Sequence, residues 1–341
     1  MKVAHLMAGA PEGGAELFFE RLVIALHAAG DDVLPIIRPE PGRLARLRAS
    51  GLAPETLGYA AIDPTTRPAL ARLLRRFAPR VAVAWMNRAA GAAPRGDWVL
   101  AGRLGGYYDL RHYRRCDHLI GNTRGIARWL VEQGWSASRV HYLPNFAADL
   151  GASRPTPRPV LGVPDGVPFL LALGRLHRDK AFDVLIRSMT HLPRAHLLIA
   201  GEGPERGALE ALARREGVAD RVLLPGWRGE VGALLAACDV FVCPSRLEPL
   251  GNVVIEAWSA GRPVVAADSY GPAELITDGQ DGLLAPMEDA TALADAIASL
   301  LEDSGRAAAI ATSGRARYAA AFAEAPVLAA WRDFLRTVEK A

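Results

Sequence analysis

The chain has 341 residues, of which 50% are hydrophobic and 23% are charged, and its formal net charge at pH 7 is +3. This length suits two domains of ordinary size, and the composition is typical of globular proteins and excludes an intrinsically disordered chain. No apolar run approaches the roughly 18 residues of a membrane-spanning helix, and the N-terminal segment lacks the pattern of a signal peptide. We therefore expect a cytoplasmic protein.

Short apolar runs alternate with longer helical patterns through the first 145 residues. We predict strands at 3–7, 33–37, 81–85, 98–104, 119–120 and 141–143. Between them, the spacing of apolar residues predicts helices at 15–29, 44–50 and 125–132. Such alternation is typical of parallel strands joined by crossover helices, and it indicates a doubly wound sheet.

A proline-rich segment interrupts this pattern at residues 153–168, where five of sixteen residues are proline. Because proline disfavours both helix and strand, we interpret the segment as a linker between domains. The alternation then restarts, with predicted strands at 169–173, 196–200, 222–224, 240–243 and 264–266. Predicted helices lie at 181–189, 205–216, 231–237, 253–260, 291–302 and 327–339.

The sequence thus predicts two tandem doubly wound, Rossmann-like α/β domains with a ligand cleft between them. The first domain is expected to cover residues 1–152 and the second residues 169–319. A C-terminal helix, within about 320–341, is long enough to pack back on the first domain.

Glu248 and Glu256 bracket the most informative stretch of the chain. Pro249 and Gly251 predict a turn, and the apolar run after Asn252 predicts the start of a helix. Free backbone amides at a helix N-terminus attract phosphate, and nearby carboxylates accept hydrogen bonds from sugar hydroxyls. The segment therefore suggests a site for a nucleotide-sugar.

Two cations are expected at the carboxyl edge of the second sheet. Arg175 follows a predicted strand directly and Lys180 precedes a predicted helix, so both lie where ligands bind in doubly wound folds. Arg175 is suited to a forked grip on phosphate oxygens, and Lys180 adds a point charge. An alternative interpretation is a pair of solvated surface cations.

Three turns are weaker candidates. Gly201 and Gly203 follow a strand and open a helix, where glycine lets the backbone approach a ligand closely. Trp227 follows the next strand and is suited either to a nucleobase contact or to ordinary packing. The pair Gly13-Gly14 follows the first strand, but without the G-x-G-x-x-G spacing of a dinucleotide fingerprint.

The sequence contains few of the motifs that bind metal ions. The chain contains no Asp-x-Asp motif, so a nucleotide-sugar enzyme that chelates a divalent cation through it is disfavoured. We predict no metal site and no cofactor besides the donor substrate. Cys116, Cys238 and Cys243 suit neither a zinc set nor a disulfide framework, and we interpret them as buried thiols.

Taken together, these segments resemble the family-4 glycosyltransferases, which are retaining enzymes with the two-domain GT-B fold. The resemblance covers essentially the whole chain and is densest from residue 173 to residue 284. It rests on Gly13-Gly14-Ala15-Glu16, Gly174-Arg175-Leu176, Lys180, Gly201-Glu202-Gly203-Pro204, Pro244-Ser245 with residues 248–256, Gly261-Arg262-Pro263-Val264-Val265-Ala266 and Gly271-Pro272-Ala273-Glu274-Leu275-Ile276.

The resemblance implies roles for the matching residues. Arg175 and Lys180 would hold the donor diphosphate during catalysis. Glu248 would accept hydrogen bonds from hydroxyls of the transferred sugar, and Glu256 from those of the ribose. Further donor contacts are expected from Gly14, Gly203, Trp227, Leu250, Gly251, Asn252 and Val253.

The chain departs from the family pattern in two places. The residue after Lys180 is Ala181, where the family usually has glycine. Many members also place a histidine or aspartate near the end of a central first-domain strand, but this chain has no histidine in that region before His112. The candidates for acceptor contact are instead Asn87, Arg103, Tyr107 and Asp109.

The leading hypothesis is metal-independent transfer of a sugar, with retention, from a nucleotide diphosphate donor, with a UDP-sugar preferred. The acceptor would be a hydroxyl of a saccharide or a lipid-linked saccharide, such as a lipopolysaccharide core. Arginine-rich segments of the first domain suggest peripheral contact with the inner membrane, and nucleic acid is not expected as a partner. Alternatives are a sugar-nucleotide epimerase of the same fold and a non-catalytic nucleotide-sugar-binding homologue. A dehydrogenase is disfavoured because the fingerprint glycines are missing.

Overall fold

The computed structural model describes residues 1–10, 13–59, 65–338 and 340. Its backbone divides into two compact units. The first unit comprises Met1–Phe146 together with Glu324–Ala341, and the second comprises Ala147–Ala323. The first unit is therefore assembled from two segments that are far apart in the chain.

Each unit contains one parallel sheet. Among the described residues, the first sheet has seven strands in the order β3-β2-β1-β4-β5-β6-β7, and the second has six in the order β10-β9-β8-β11-β12-β13. The strands are β1 (Lys2–Met7), β2 (Asp32–Ile37), β3 (Glu55–Thr56), β4 (Val81–Trp85), β5 (Val99–Leu104), β6 (His118–Gly121), β7 (Val140–Tyr142), β8 (Phe169–Leu173), β9 (His196–Ala200), β10 (Val222–Gly226), β11 (Val240–Cys243), β12 (Val264–Ala267) and β13 (Leu283–Ala285).

Helices follow nearly every strand, as the predicted alternation requires. They are α1 (Gly14–Ala28), α2 (Pro41–Ala49), α3 (Thr66–Phe77), α4 (Met86–Ala92), α5 (Arg124–Glu132), α6 (Phe182–Ser188), α7 (Arg206–Arg215), α8 (Val231–Ala237), α9 (Asn252–Ser259), α10 (Tyr270–Leu275), α11 (Ala290–Glu302), α12 (Ser304–Arg317) and α13 (Glu324–Thr337). The two doubly wound α/β units predicted from the sequence are confirmed.

The core of the first unit depends on its C-terminal segment. Trp331 of α13 stacks on Trp85 of β4, with ring centroids 6.2 Å apart and planes inclined by 5°. Both side chains are fully buried beside Phe19 of α1. Aromatic side chains contribute the largest buried areas in a core, so α1 and α13 together shield this face of the sheet from water.

The proline-rich segment at 153–168 lies within the second unit. A 3₁₀-helix spans Arg158–Leu161, and Leu161 and Val163 are buried in the same core as β8. The guanidinium of Arg158 donates to Asp239 at 2.6 Å and to the carbonyl of Val167 at 2.9 Å. Proline removes backbone donors, but it does not prevent packing, and this segment packs tightly against the strands that follow it.

Several elements have no counterpart in the sequence predictions. The short strand β3, the edge strand β13 and the helices α3, α4, α10 and α12 were not expected. Helix α3 is rich in arginine, so its apolar stripe is narrow. Helix α4 begins directly at the end of β4, at Met86 with φ of 60°, without a turn signal between strand and helix. The predicted end of the last helix, at residue 339, lies outside the described residues.

The three cysteines are buried and unpaired, as expected. Burial raises the pKa of Cys116 and of Cys238 to about 12, which keeps both thiols protonated and inert.

Within the described part of the chain, no helix combines the length and the apolar character needed to cross a bilayer.

Two histidines of the first unit are held neutral. Burial, assisted by the nearby Arg103, lowers the pKa of His5 to about 3, and Nδ1 of His5 accepts a hydrogen bond from Trp85 Nε1 at 3.1 Å. Burial and the neighbouring His118 lower the pKa of His141 to about 4. Because the unfolded chain binds these protons near pH 6.5, acid favours unfolding.

We expect the free energy of unfolding to fall as pH drops from about 6.5 towards 4, by roughly 2–4 kcal/mol from His5 alone. The substitution His5→Gln retains an acceptor for Trp85 but cannot titrate, so its stability should depend less on pH in this window. Urea unfolding followed by tryptophan fluorescence at several pH values would measure both slopes. The exposed His191→Gln variant is the control, and identical slopes in wild type and His5→Gln would contradict the assignment.

Candidate functional site

The loop between β8 and α6 carries both cations predicted from the sequence. Arg175 is exposed two residues after β8 ends, and its side chain has no hydrogen-bond or ion-pair partner among the described residues. Lys180 ends a 3₁₀-helix at Arg178–Lys180, and its side chain is largely buried. One guanidinium is therefore available to a ligand, whereas the ammonium is held inside the unit.

Ala181 adopts a left-handed conformation, with φ of 51° and ψ of 32°, directly before α6. Alanine pays a steric cost in this region that glycine avoids. The turn thus has the backbone geometry of a glycine position, although the chain has alanine there. Alanine in place of the glycine that the family usually has therefore adds strain to this turn.

The glycines after β9 bring two loops into direct backbone contact. A Cβ atom at Gly201 would lie 1.8 Å from the carbonyl oxygen of Gly174, and one at Gly203 would lie 2.3 Å from that of Leu176. The amide of Leu176 donates to the carbonyl of Glu202 at 2.9 Å. Gly203 was predicted to approach a ligand, and the structure assigns it a contact with the cation-bearing loop.

The loop between β11 and α9 presents the two predicted carboxylates. Glu248 lies in the loop and Glu256 lies in the second turn of α9, as the sequence predicted. Gly251 caps the helix with φ of 93°, and the buried Leu250 precedes it. Helix α9 begins at Asn252, so the amides of its first turn point towards the loop that carries Glu248.

A neighbouring glycine fixes the course of this loop. The amide of Gly271 donates to the carbonyl of Glu248 at 2.8 Å. A Cβ atom at Gly271 would lie 2.5 Å from Leu250 and 2.6 Å from that same carbonyl oxygen. Any larger residue would displace the backbone that carries Glu248.

Lys180 and Glu248 form an ion pair between the two loops. The ammonium donates to Oε2 of Glu248, and the hydroxyl of Ser245 lies 3.5 Å from the same oxygen. Burial lowers the pKa of Lys180, but the attraction of Glu248 outweighs it and leaves this pKa above the ordinary value. The lysine is therefore charged near neutral pH. The sequence predicted both residues at the site but did not predict that they contact each other.

Arg246 clamps these two loops together, and sequence reasoning missed it. Its guanidinium donates to both carboxylate oxygens of Asp183 at 2.8 Å and to the carbonyl of Arg178 at 2.8 Å. It also pairs with both oxygens of Glu288. The backbone amide of Arg246 adds a bond of 2.8 Å to the carbonyl of Asp179. Since its partners are 42 to 68 residues away in sequence, no local pattern reveals this role.

Trp227 stands apart from this cluster. It follows β10, which is separated from β8 by β9, and its side chain is 63% exposed. It makes no aromatic contact with another described residue. This exposure speaks against ordinary packing, and the predicted contact with a nucleobase stays a prediction.

The candidates in the first unit fall into different environments. Gly14 begins α1, and the neighbouring Pro11 and Glu12 lie outside the described residues. Tyr107 is exposed and packs edge-on against Trp129 at 5.3 Å. The remaining candidates are an exposed Asp109 that caps the 3₁₀-helix at Leu110–Tyr113, a half-buried Asn87 in α4 and a fully buried Arg103 in β5.

Comparison with known proteins identifies the family. A family model described as glycosyl transferases group 1 matches residues 153–317, which lie within the second unit. The lipopolysaccharide core biosynthesis glycosyltransferase LpsE of Rhizobium meliloti (strain 1021) is 34% identical over 340 residues, which cover 98% of this chain and 99% of that protein. The chain belongs to the group 1 glycosyltransferases. This glycosyltransferase is also 34% identical over 350 residues to LpsD, another lipopolysaccharide core biosynthesis glycosyltransferase of that strain, with full coverage of both chains.

The solved structures agree on the fold. Anabaena Alr3699/HepE in complex with UDP matches with a TM-score of 0.87 and 22% sequence identity, covering 99% of the glycosyltransferase and 100% of that chain. At this identity the likeness concerns the fold alone. The GT-B class predicted for the glycosyltransferase is thereby confirmed, whereas membership in family 4 in particular stays a prediction.

We expect Arg246→Met to loosen the two loops and to lower the free energy of unfolding by about 1–3 kcal/mol, because it removes the charge-assisted hydrogen bonds that Arg246 makes to Asp183 and Glu288. Hydrogen exchange should accelerate at residues 176–182 and 245–251. Arg187→Met is the matched control, since Arg187 pairs with the same Asp183 from the exposed side of α6. Equal exchange in the two variants would show that Arg246 does not hold the loops.

We expect Ala181→Gly to change the free energy of unfolding by less than about 1 kcal/mol, because relief of the left-handed strain offsets the lost methyl group and the added freedom of the unfolded chain. Ala213→Gly in α7, at another buried alanine, should lose about 2 kcal/mol. Chemical denaturation of both variants makes the comparison. A loss at Ala181 as large as that at Ala213 would contradict the strain argument.

Proposed function

We propose that this glycosyltransferase transfers a sugar, with retention and without a divalent metal, from a nucleoside diphosphate donor to a hydroxyl of a saccharide or lipid-linked saccharide. The second unit would be the donor domain and the first unit the acceptor side. The observation that carries the proposal is the Lys180–Glu248 ion pair, which lies directly before the N-terminus of α9.

The arrangement suits a donor with a diphosphate next to a sugar. Arg175 is exposed and has no side-chain partner in the described part of the chain, so its fork of donors can turn to phosphate oxygens. The first amides of α9 and the positive end of its dipole favour the same charge. Glu248 would accept a hydrogen bond from a hydroxyl of the transferred sugar. Lys180 would donate hydrogen bonds both to that carboxylate and to the diphosphate. Glu256 would accept from the ribose.

Retention is supported by the way Glu248 is engaged. Its carboxylate is tied to Lys180 and approached by Ser245, which suits a hydrogen-bond acceptor better than a covalent nucleophile. We therefore favour displacement on one face. The bond from the sugar carbon to the diphosphate oxygen breaks, the acceptor oxygen bonds to that carbon, and the acceptor proton passes to the departing diphosphate.

Charge neutralisation of the leaving group would come from Arg175, Lys180 and the α9 amides, which is why we propose that no divalent metal is needed. Fixed charges that meet the developing negative charge without rearranging commonly contribute a factor of roughly 10²–10³ in rate for each donor. The Lys180 ammonium is held in place before the ligand arrives, because Glu248 fixes its position.

A UDP-sugar is the preferred donor, since the similar Anabaena protein was solved with UDP. A lipopolysaccharide core is the preferred acceptor, since LpsE and LpsD are named for its biosynthesis. In the first unit, Arg67 and Arg115 both donate to the carbonyl of Gly91, at 2.9 Å and 3.2 Å, and so join two arginine-rich segments. This basic patch favours peripheral contact with an anionic membrane, at the cytoplasmic face of the inner membrane.

The test is the substitution Lys180→Ala, assayed with a panel of UDP-sugars and with rough lipopolysaccharide as the acceptor. We expect transfer to fall at least about 100-fold, because the ammonium stabilises the departing diphosphate. Glu256→Ala should weaken UDP binding about tenfold through loss of the ribose contact. Arg214→Ala and Glu302→Ala, at exposed positions of the same unit, are the matched controls.

Thermal unfolding of each variant separates lost chemistry from lost structure. Wild-type turnover in Lys180→Ala would remove the residue from the mechanism. Conversion of the donor to an epimer without any acceptor would favour the epimerase alternative. UDP binding without turnover on any acceptor would favour the non-catalytic one.

A further inference from the structure

The first unit contains a buried arginine that has no carboxylate partner among the described residues. Arg103 lies near the end of β5, and its side chain is fully buried. One terminal nitrogen donates to Oδ1 of Asn145, and the guanidinium lies over the ring of Trp85 at 4.4 Å. The other two nitrogens, Nε and Nη1, have no hydrogen-bond partner among the described residues.

A second buried arginine in the same unit shows the ordinary arrangement. Arg43 of α2 donates to Glu20 at 3.0 Å and to the carbonyl of Ala10 at 2.9 Å. Its charge is compensated by a buried carboxylate within the fold. Leaving a buried guanidinium uncompensated costs several kcal/mol, so Arg103 reduces the stability of this unit relative to an apolar residue of its size.

Polar groups converge on one point beside Arg103. A Cβ atom at Gly105 would lie 3.8 Å from Arg103 Nη1, 3.8 Å from Asn122 Nδ2 and 3.7 Å from the hydroxyl of Tyr108. All three groups can donate hydrogen bonds. Gly105 and Tyr108 are partly exposed, so this point borders solvent although Arg103 does not. We call these four residues the Gly105 subsite.

The electrostatics of the subsite favour an anion. Burial lowers the pKa of Arg103 to about 9, which still leaves the guanidinium charged at neutral pH. Burial raises the pKa of Tyr108, and the nearby carboxylate of Glu16 raises it further. That carboxylate itself accepts a hydrogen bond from the amide of Ala10 at 2.8 Å. The subsite also lies at the carboxyl ends of β5 and β6, the edge at which doubly wound sheets bind ligands.

We propose that the Gly105 subsite binds one anionic group, a phosphate or a carboxylate, on the acceptor saccharide. This inference rests on the proposed function, and it narrows the acceptor to an acidic one. The donor diphosphate has its own cations in the second unit, in Arg175 and Lys180. The shared chemistry is an oxyanion that accepts from Arg103, Asn122 and Tyr108. The test below separates an anion on the acceptor from the diphosphate of the donor.

Two substitutions isolate the subsite. Gly105→Ala fills it with a methyl group at ordinary contact distances and without a left-handed backbone, so the variant should fold normally. Arg103→Met removes the charge and retains an apolar chain of similar length. Gly58→Ala, whose methyl group would meet nothing within 4 Å, and the exposed Arg48→Met are the matched controls.

The measurement is the thermal shift caused by glucose 6-phosphate, with glucose as the neutral probe, in saturating UDP and at constant ionic strength. In wild type the phosphorylated sugar should raise the melting temperature and glucose should not. Both subsite variants should need about tenfold or more glucose 6-phosphate to reach the same shift in melting temperature, because charge-assisted hydrogen bonds are lost. Both controls should respond as wild type does. Affinity for UDP alone, measured by calorimetry, should be the same in all five proteins.

Three outcomes would overturn the proposal. The first is a wild type that does not distinguish glucose 6-phosphate from glucose, and the second is a full response in Gly105→Ala. The third is weaker UDP binding in the subsite variants, which would assign the anion to the donor. A wild type that fails to bind any nucleotide while still responding to the phosphorylated sugar would reject the proposed function and uphold the subsite.

Discussion

The attraction between Lys180 and Glu248 determines how the second unit presents its chemistry. The two residues are 68 positions apart, yet β8 and β11 are neighbours in the sheet, so their following loops start side by side. Partial burial strengthens the attraction beyond that of a surface pair. The pair also keeps a positive charge fixed in a protein interior that would otherwise favour its neutral form. The surrounding glycines and Arg246 serve mainly to hold the backbones that carry these two charges.

Those supports are mutually dependent. The glycines after β9 let that loop press against the loop after β8, and Arg246 ties the same loop to the one after β11. These three loops and the start of α10, which follows β12, are thus coupled at one sheet edge through close backbone contacts. A methyl group added at Gly201, Gly203 or Gly271 would displace that backbone. Rigidity of this kind lowers the reorganisation needed when a charged ligand binds.

Features encoded over short distances could be predicted from the sequence. Apolar runs and helix starts predicted the alternating strands and helices, and the Pro249–Gly251 turn placed Glu248 before α9 and Glu256 within it. The sequence did not predict contacts that join distant segments. Arg246 is one of many arginines, and only the folded chain brings Asp183 and Glu288 to it. Asn122 escaped notice for the same reason, because its side chain gains meaning only beside Gly105 and Arg103.

The two-segment construction of the first unit has a consequence for how the chain folds as it is synthesised. Residues 1–146 emerge from the ribosome first, but Trp331 and Phe334 emerge after the whole second unit. Until then the face of the sheet around Trp85 and His5 is covered by α1 and lacks the cover that α13 supplies. The unit that begins first is therefore completed last, and the nascent chain exposes an aromatic surface for the time needed to make about 180 residues, roughly 10–40 s at typical bacterial rates. A chaperone that shields such surfaces would act on this half of the chain.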